Sequence, residues 1–139
     1  VSLFALQFAK ALGAHVIATF SSNEKRKVLR RLGADRTINY KTSKEWGKKA
    51  FQHANDLGKI GVDLVVDVGG PGTLSDALEA VGIGGCIRMV GNLTGRGGKI
   101  RRLDTMFYKA VRIEGVIVGH RDAFDAMLRT MEAHKIRPL

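Results

Sequence analysis

Residues 16–26, VIATFSSNEKR, put two hydroxyls and two cations where a β-branched run turns into a polar helix. Ser21 and Ser22 can donate hydrogen bonds to phosphate oxygens. Lys25 adds a point charge and Arg26 a planar fork. Together they can hold a phosphate, although Lys25 and Arg26 also read as ordinary solvated charges on an exposed helix. Two glycine-rich stretches offer a different chemistry. VDVGGPG (66–72) and MVGNLTG (89–95) each close an apolar run. Glycines at such places let a ligand approach the backbone, which marks Val68, Gly69 and Gly70 as candidates. The plainer reading of the first stretch is a tight turn, with Pro71 and Gly72 as turn residues.

Metal and nucleophile chemistry is thinly supplied. His15, His53, His120 and His134 form no i, i+4 pair with another ligand type. Cys86 is the single cysteine, so an internal disulfide and a cysteine-built zinc cluster are excluded. It reads as small core filler, in keeping with a reducing cytoplasm. His120 is the one histidine near the expected cleft, and a loop histidine there commonly just meets water.

The elements that must position these residues alternate along the chain. Helical patterns cover 3–12, 23–33, 43–55, 73–81 and 121–135, with a short one at 105–111. Strand patterns cover 15–20, 36–40, 61–70, 85–92 and 112–120. Gly13 and Gly33 read as helix stops, and Ser43 and Thr73 as helix starts. Residues 93–104 form a polar, glycine-rich loop. The run DLVVDV has no polar alternation, which predicts a strand covered on both faces. The pattern predicts an α/β fold, a doubly wound parallel sheet forming one domain over residues 1–139. The carboxyl ends of its strands are then the place for a ligand.

The chain has 139 residues and 45% hydrophobic content, ordinary for a globular domain. No apolar run reaches membrane-spanning length. The net charge of +10 permits an anionic partner such as nucleic acid. The cations fall into separate groups, however, and aromatics are only 6%. A non-enzymatic basic module stays as the alternative reading, with nucleic acid the less favoured partner.

The stretches A..LGA.VIAT.SS..K......LGAD..INY, GVDLVVDVGGPGTLSDALEAVGIGGCIRMVGNLTG and IEGVIVGHRDAFDAMLRTMEAHKIRPL, in this order, resemble the cofactor-binding domain of the medium-chain dehydrogenase/reductase superfamily. That superfamily joins zinc-type alcohol dehydrogenases and zinc-free quinone oxidoreductases. The resemblance implies a Rossmann-like fold binding a nicotinamide dinucleotide and orienting it for hydride transfer to or from an alcohol, aldehyde, ketone or quinone. The family unit opens with a strand and a G-x-G-G-V-G turn. Here the pattern opens with a helix, so the fold is expected without its first, central strand. Val1 and Ser2 match the tail of that turn.

Other matches follow residue by residue. Where NAD-binding units end the second strand in a carboxylate for the ribose hydroxyl, this chain has Phe20. A lysine at the Lys25 position holds a 2′-phosphate in quinone-oxidoreductase-like relatives, beside a tyrosine at Tyr40. The resemblance therefore favours NADP over NAD, with Ser21, Ser22, Lys25 and Tyr40 around the phosphate. Val68, Gly69 and Gly70 match the approach of ribose or nicotinamide, and Val90, Gly91, Asn92 and Leu93 line the nicotinamide half. Val116 and Val118 match backbone positions that bond the carboxamide, and Arg121 can reach a phosphate. No catalytic or metal-ligating residue is expected in this chain. Substrate and any zinc would be held by a catalytic domain outside it. A homodimer is expected through the edge strand at 112–119.

Overall fold

The computed structural model describes residues 1–97 and 99–139. Gly98, inside the expected loop 93–104, lies outside the described residues. The element order is α1 (Ser2–Ala11), β1 (Ile17–Phe20), α2 (Asn23–Arg31), β2 (Arg36–Asn39), α3 (Trp46–Asn55), β3 (Val62–Asp67), α4 (Pro71–Ala80), β4 (Val81–Met89), α5 (Thr105–Tyr108), β5 (Arg112–Gly115) and α6 (Arg121–Ala133). The fold is α/β with parallel strands, as the alternation predicts.

The strands form two sheets, β1-β2 and β3-β4-β5. In the expected strand order, the central strand belongs between β1 and β3, and the break falls there. Three apolar clusters hold the layers. Leu6, Phe20, Leu29 and Ala34 join α1 and α2 to the first sheet. Leu74, Ala77, Leu78, Val81, Ile87 and Val111 fix α4 on the second. Ile38, Ala50 and Ala80 form the third cluster, with Ile17 of β1 and Val62 and Val65 of β3 packed on it. Helix α3 thus bridges the two sheets.

Several boundaries differ from expectation for local reasons. α3 starts at Trp46 behind Glu45, without a side-chain cap. Ser43 instead accepts from Lys49 Nζ at 2.8 Å. α4 starts at Pro71, with Gly70 at φ +83° as its N-cap. Proline suits this position because its missing N–H would be unpaired there anyway, and Thr73 is already inside the helix. β4 begins at Val81, because its pairing with β3 resumes beyond a register shift between Val62 and Leu64. β5 is shorter than expected and ends at Gly115. The expectation that DLVVDV is covered on both faces is corrected. Leu64 and Val66 are 53% and 39% exposed, since no described helix seals that face of β3. The apolar stripe of α6 is likewise open at Phe124 and Leu128, and only its Met131 is buried.

Two polar devices stitch elements together. Asp35 accepts from Val16 N–H at 2.7 Å and from Lys10 Nζ at 2.9 Å, tying α1 to the start of β1. Burial pushes its carboxyl up. The Lys10 ammonium and the Val16 N–H outweigh this, leaving it below the ordinary carboxylate value. Lys109 donates to the carbonyls of Leu78, Glu79 and Val81, the last at 2.8 Å, and stands 4.8 Å over the Phe51 ring. It thereby caps the end of α4, and burial pulls its ammonium below the ordinary lysine value.

The α3–α4 crossing is close because Gly47 has no side chain. A Cβ there would stand 2.1 Å from the Asp76 carbonyl oxygen. Gly47→Ala is expected to cost at least about 1–3 kcal/mol, the range for overpacking, read as a fall in the urea midpoint. Asp35→Asn tests the other joint. A depressed carboxyl contributes stability above its ordinary pKa and loses it as pH falls through the folded value. The variant is expected to be about 1 kcal/mol less stable at neutral pH, with a flatter stability profile below roughly pH 4. Urea melts from pH 3 to 7 check both. An unchanged acid limb would show that Asp35 carries none of the pH dependence.

Candidate functional site

Parallel strands put all their carboxyl ends at one edge of each sheet. At the first sheet the residues beyond β1 and β2 are Ser21, Ser22 and Tyr40. Tyr40 N–H donates to Phe20 C=O at 3.1 Å, which sets the two strand ends side by side. Phe20 is buried in the core at 6% exposure, so this strand end presents no carboxylate. Ser22 is the N-cap of α2, and its Oγ accepts from Lys25 N–H at 3.4 Å. The Ser22 hydroxyl and Glu24's own N–H hold the Glu24 carboxyl below its ordinary value. Ser22 Oγ thus accepts within the cap, which leaves its O–H to donate. Lys25 is exposed, and among the described residues it makes no ion pair. Val1 and Ser2 open α1. Val1 is 70% exposed, and its carbonyl accepts from Ala5 N–H.

At the second sheet the two glycine-rich turns come together. Val90 N–H donates to Asp67 C=O at 2.8 Å, Leu93 N–H to Val68 C=O at 3.2 Å, and Thr94 N–H to Gly69 C=O at 2.9 Å. The approach is tight enough that a Cβ on Gly91 would stand 2.7 Å from the Val68 carbonyl oxygen, and one on Gly70 2.7 Å from Asn92 Oδ1. Val116 N–H donates to Met89 C=O at 2.9 Å, bringing the residues after β5 to the same edge. That bond uses the Val116 donor, so the backbone group it leaves for a ligand is the carbonyl. Val118 is 93% exposed. Arg121 opens α6, and His120 precedes it, 77% exposed with Nδ1 3.8 Å from Asp122.

Asp67 and Thr94, which the sequence reading passes over, support this edge together with Thr73, read there only as a helix start. Asp67, 6% exposed, ends β3 with Oδ1 accepting from Gly69 N–H at 2.9 Å and from the Thr73 hydroxyl at 2.6 Å. The Thr94 hydroxyl donates to Gly69 C=O at 2.7 Å and accepts from Gly72 N–H at 2.9 Å. The available signal is an acid closing an apolar run, with threonine one turn into the next helix.

Of two hollows, one lies away from these strand ends, and the other reaches Phe20, Arg26 and Asn39 at the end of the first sheet. A hollow of about 350 Å³ between α3, α4 and Arg101–Arg102 is lined by opposite charges, including the Arg102–Glu79 pair at 3.3 Å. A shallower groove of about 290 Å³ wraps the outer edge of β2. Glycine backbone and open loops line the strand-end edge, and such a surface makes a cleft only against an opposing wall. Among the described residues, no three His, Cys, Asp or Glu stand together as metal ligands. The chain's residues therefore do not fit a zinc ion, and zinc enters no step assigned to them. Among them, too, no helix is long and apolar enough to cross a membrane.

Parallel strands with crossover helices and glycine turns at the strand ends define a Rossmann-like cofactor domain. Residues 1–133 match the zinc-binding dehydrogenase family. A zinc-type alcohol dehydrogenase-like protein of Schizosaccharomyces pombe is 35% identical over 100% of this chain and 40% of its own length. An acryloyl-coenzyme A reductase of Sulfurisphaera tokodaii is 34% identical over 100% of the chain and 39% of its own. A crystal structure described as an NAD-dependent alcohol dehydrogenase superposes with a TM-score of 0.87 at 33% identity, covering 100% of this chain and 39% of that one. The chain belongs to the zinc-binding dehydrogenase family, within the medium-chain dehydrogenase/reductase superfamily, and spans about 40% of the relatives it matches.

Proposed function

We propose that this chain is the cofactor-binding domain of an NADP(H)-dependent oxidoreductase of alcohol dehydrogenase or quinone reductase type. Its work is to orient the nicotinamide toward an alcohol, a carbonyl or a quinone. The observation that carries the preference for NADP is the end of β1, where Phe20 is buried and Lys25 stands exposed beside Ser21. An acid there would repel a 2′-phosphate, and a free ammonium attracts it. The similarity to a structure named for NAD is the reason the test compares both cofactors.

The residues fit a dinucleotide. Ser21 and Lys25 face the phosphate-bearing ribose, with Tyr40 beside them. A Cβ at Gly69, Gly70 or Gly91 would stand 2.3 Å from Thr73 Oγ1, 2.7 Å from Asn92 Oδ1 or 2.7 Å from the Val68 carbonyl oxygen, so only glycine lets these turns pack together and offer bare backbone to the ligand. Asn92, Leu93 and Val118 border the nicotinamide half, and Arg121 supplies a cation at the start of α6. When bound, the nicotinamide carries the hydride; this chain contributes position and electrostatics. Substrate and any zinc are assigned to residues outside this chain, and the whole protein to the cytoplasm.

β5 is the outer strand of its sheet, and the residues that follow it are apolar and open, Ile117 at 91%. An edge of this kind invites pairing with a second copy, and we assign the homodimer contact to 112–119. Ile117→Asp in the protein carrying this chain is expected to shift sedimentation toward monomer. An unchanged dimer would remove this edge from the interface.

Lys25→Glu tests the cofactor. It is expected to weaken NADPH binding about tenfold or more and NADH binding little, since it replaces attraction by repulsion only where a 2′-phosphate is present. Fluorescence titration of the wild-type and variant proteins gives both numbers. Equal losses would return Lys25 to a solvated surface charge. Steeply salt-dependent binding to a random DNA duplex, without nucleotide binding, would replace the reading with a basic binding module.

A further inference from the structure

Gly69 is gripped from both sides. Its N–H donates to Asp67 Oδ1 at 2.9 Å, and its carbonyl accepts both the Thr94 hydroxyl at 2.7 Å and the Thr94 N–H at 2.9 Å. The same hydroxyl accepts from Gly72 N–H at 2.9 Å. Gly72 lies in the first turn of α4, where N–H groups lack partners within the helix. The N-cap of α4 is Gly70, which has no side chain to offer. Thr94 therefore caps α4 from another loop, and in doing so clamps residues 90–95 onto the turn at 68–72. Contact is close enough that a Cβ on Gly72 would stand 2.8 Å from the Thr94 Cβ. The adenosine end, at Ser21 and Lys25, belongs to the other sheet and takes no part in this network.

We propose that Thr94 is a positioning residue for the nicotinamide half of the cofactor, acting through the Gly69–Gly72 turn and not by touching the ligand. The proposal rests on the dinucleotide reading above. One hydroxyl sets the spacing of the two loops that carry Val68–Gly70 and Val90–Leu93. Without it, the Gly72 N–H and one acceptor site on Gly69 are released, and the loops lose their fixed separation. The adenosine end keeps its geometry. Loss of Thr94 should therefore split the two halves of the ligand, which general destabilisation does not do.

The test measures affinity for NADPH and for 2′,5′-ADP, which carries only the adenosine half, in the protein carrying this chain. Thr94→Val keeps the shape and removes both side-chain hydrogen bonds. It is expected to weaken NADPH about three- to tenfold and leave 2′,5′-ADP unchanged. Thr94→Ser restores the hydroxyl and is expected to recover most of the loss. Equal losses for both ligands, no loss for either, or no recovery by serine would overturn the proposal. Wild-type protein that binds neither ligand would sink the dinucleotide reading itself, which is a separate result. Should Thr94→Val fail to fold, amide exchange on the wild type decides. Protection of Gly69 and Gly72 is expected to rise with NADPH and not with 2′,5′-ADP. An equal response to the two ligands would overturn the proposal there too.

Discussion

The contact on which the rest depends is the crossing of α3 over α4. Among the described residues the strands form two sheets that share no hydrogen-bonded strand pair, so helices must hold them in register. α3 does this because Gly47 lets its backbone come down onto Asp76. The Asp76 carboxylate then accepts from Gly47 N–H at 3.2 Å. Burial pushes that carboxyl up, and the Gly47 N–H only partly opposes it. Next to this joint, Trp46 packs against the cores of both the second sheet and the bridge. A joint of one glycine, one acid and one indole leaves little room for sequence change. Side chains elsewhere on α3, such as Lys48 and Gln52, face solvent.

On the proposed reading, that arrangement divides the ligand between two bodies of structure. The end proposed for the 2′-phosphate hangs on β1 and β2, and the glycine turns hang on β3 and β4. Their spacing is set by helix packing and not by a shared sheet. Each half must then be rigid in itself. The first half gains this from Ser22, which caps α2 and fixes the turn that carries Lys25. The second gains it from Asp67 and Thr94, which hold the two peptide groups flanking Gly69. Backbone N–H and C=O groups near a binding edge are costly when unpaired, and here side chains pair them. The fold and the site are therefore stabilised by the same few hydrogen bonds.

Legibility in the sequence follows from the range of the interactions. Element type is readable because β-branched runs and helical patterns are local, as in HVIATF and DAMLRTMEAH. Element ends were less so. Ser43 looks like a helix cap, but Lys49 reaches back to it and the helix begins at Trp46. Thr73 looks like a helix start, but Pro71 fits the first position better. Coverage of β3 was misread because an apolar run signals burial without saying what buries it. Lys25 and Phe20 stand out in the sequence because the phosphate site proposed for them depends on residue type near one strand end. The roles of Asp67 and Thr94 are not legible there: Asp67 acts through the turn at Gly69 and Thr73, and Thr94 through contacts with Gly69 and Gly72, 25 and 22 residues away in sequence.

This difference bears on how specificity and positioning separate within the domain. On the proposed reading, the adenosine end would recognise charge, a long-range interaction that tolerates small shifts in a flexible lysine. The nicotinamide end would have no charge to recognise and would depend on the placement of backbone atoms, for which an error of about 1 Å is severe. Accordingly the cationic end carries an exposed side chain with one cap beneath it. The glycine end carries a buried carboxylate and two threonine hydroxyls within 2.6–3.0 Å of their partners. Charge can be supplied from a mobile surface residue, and position cannot. The polar groups that look least chemical in the sequence are for that reason the ones on which orientation of the cofactor rests.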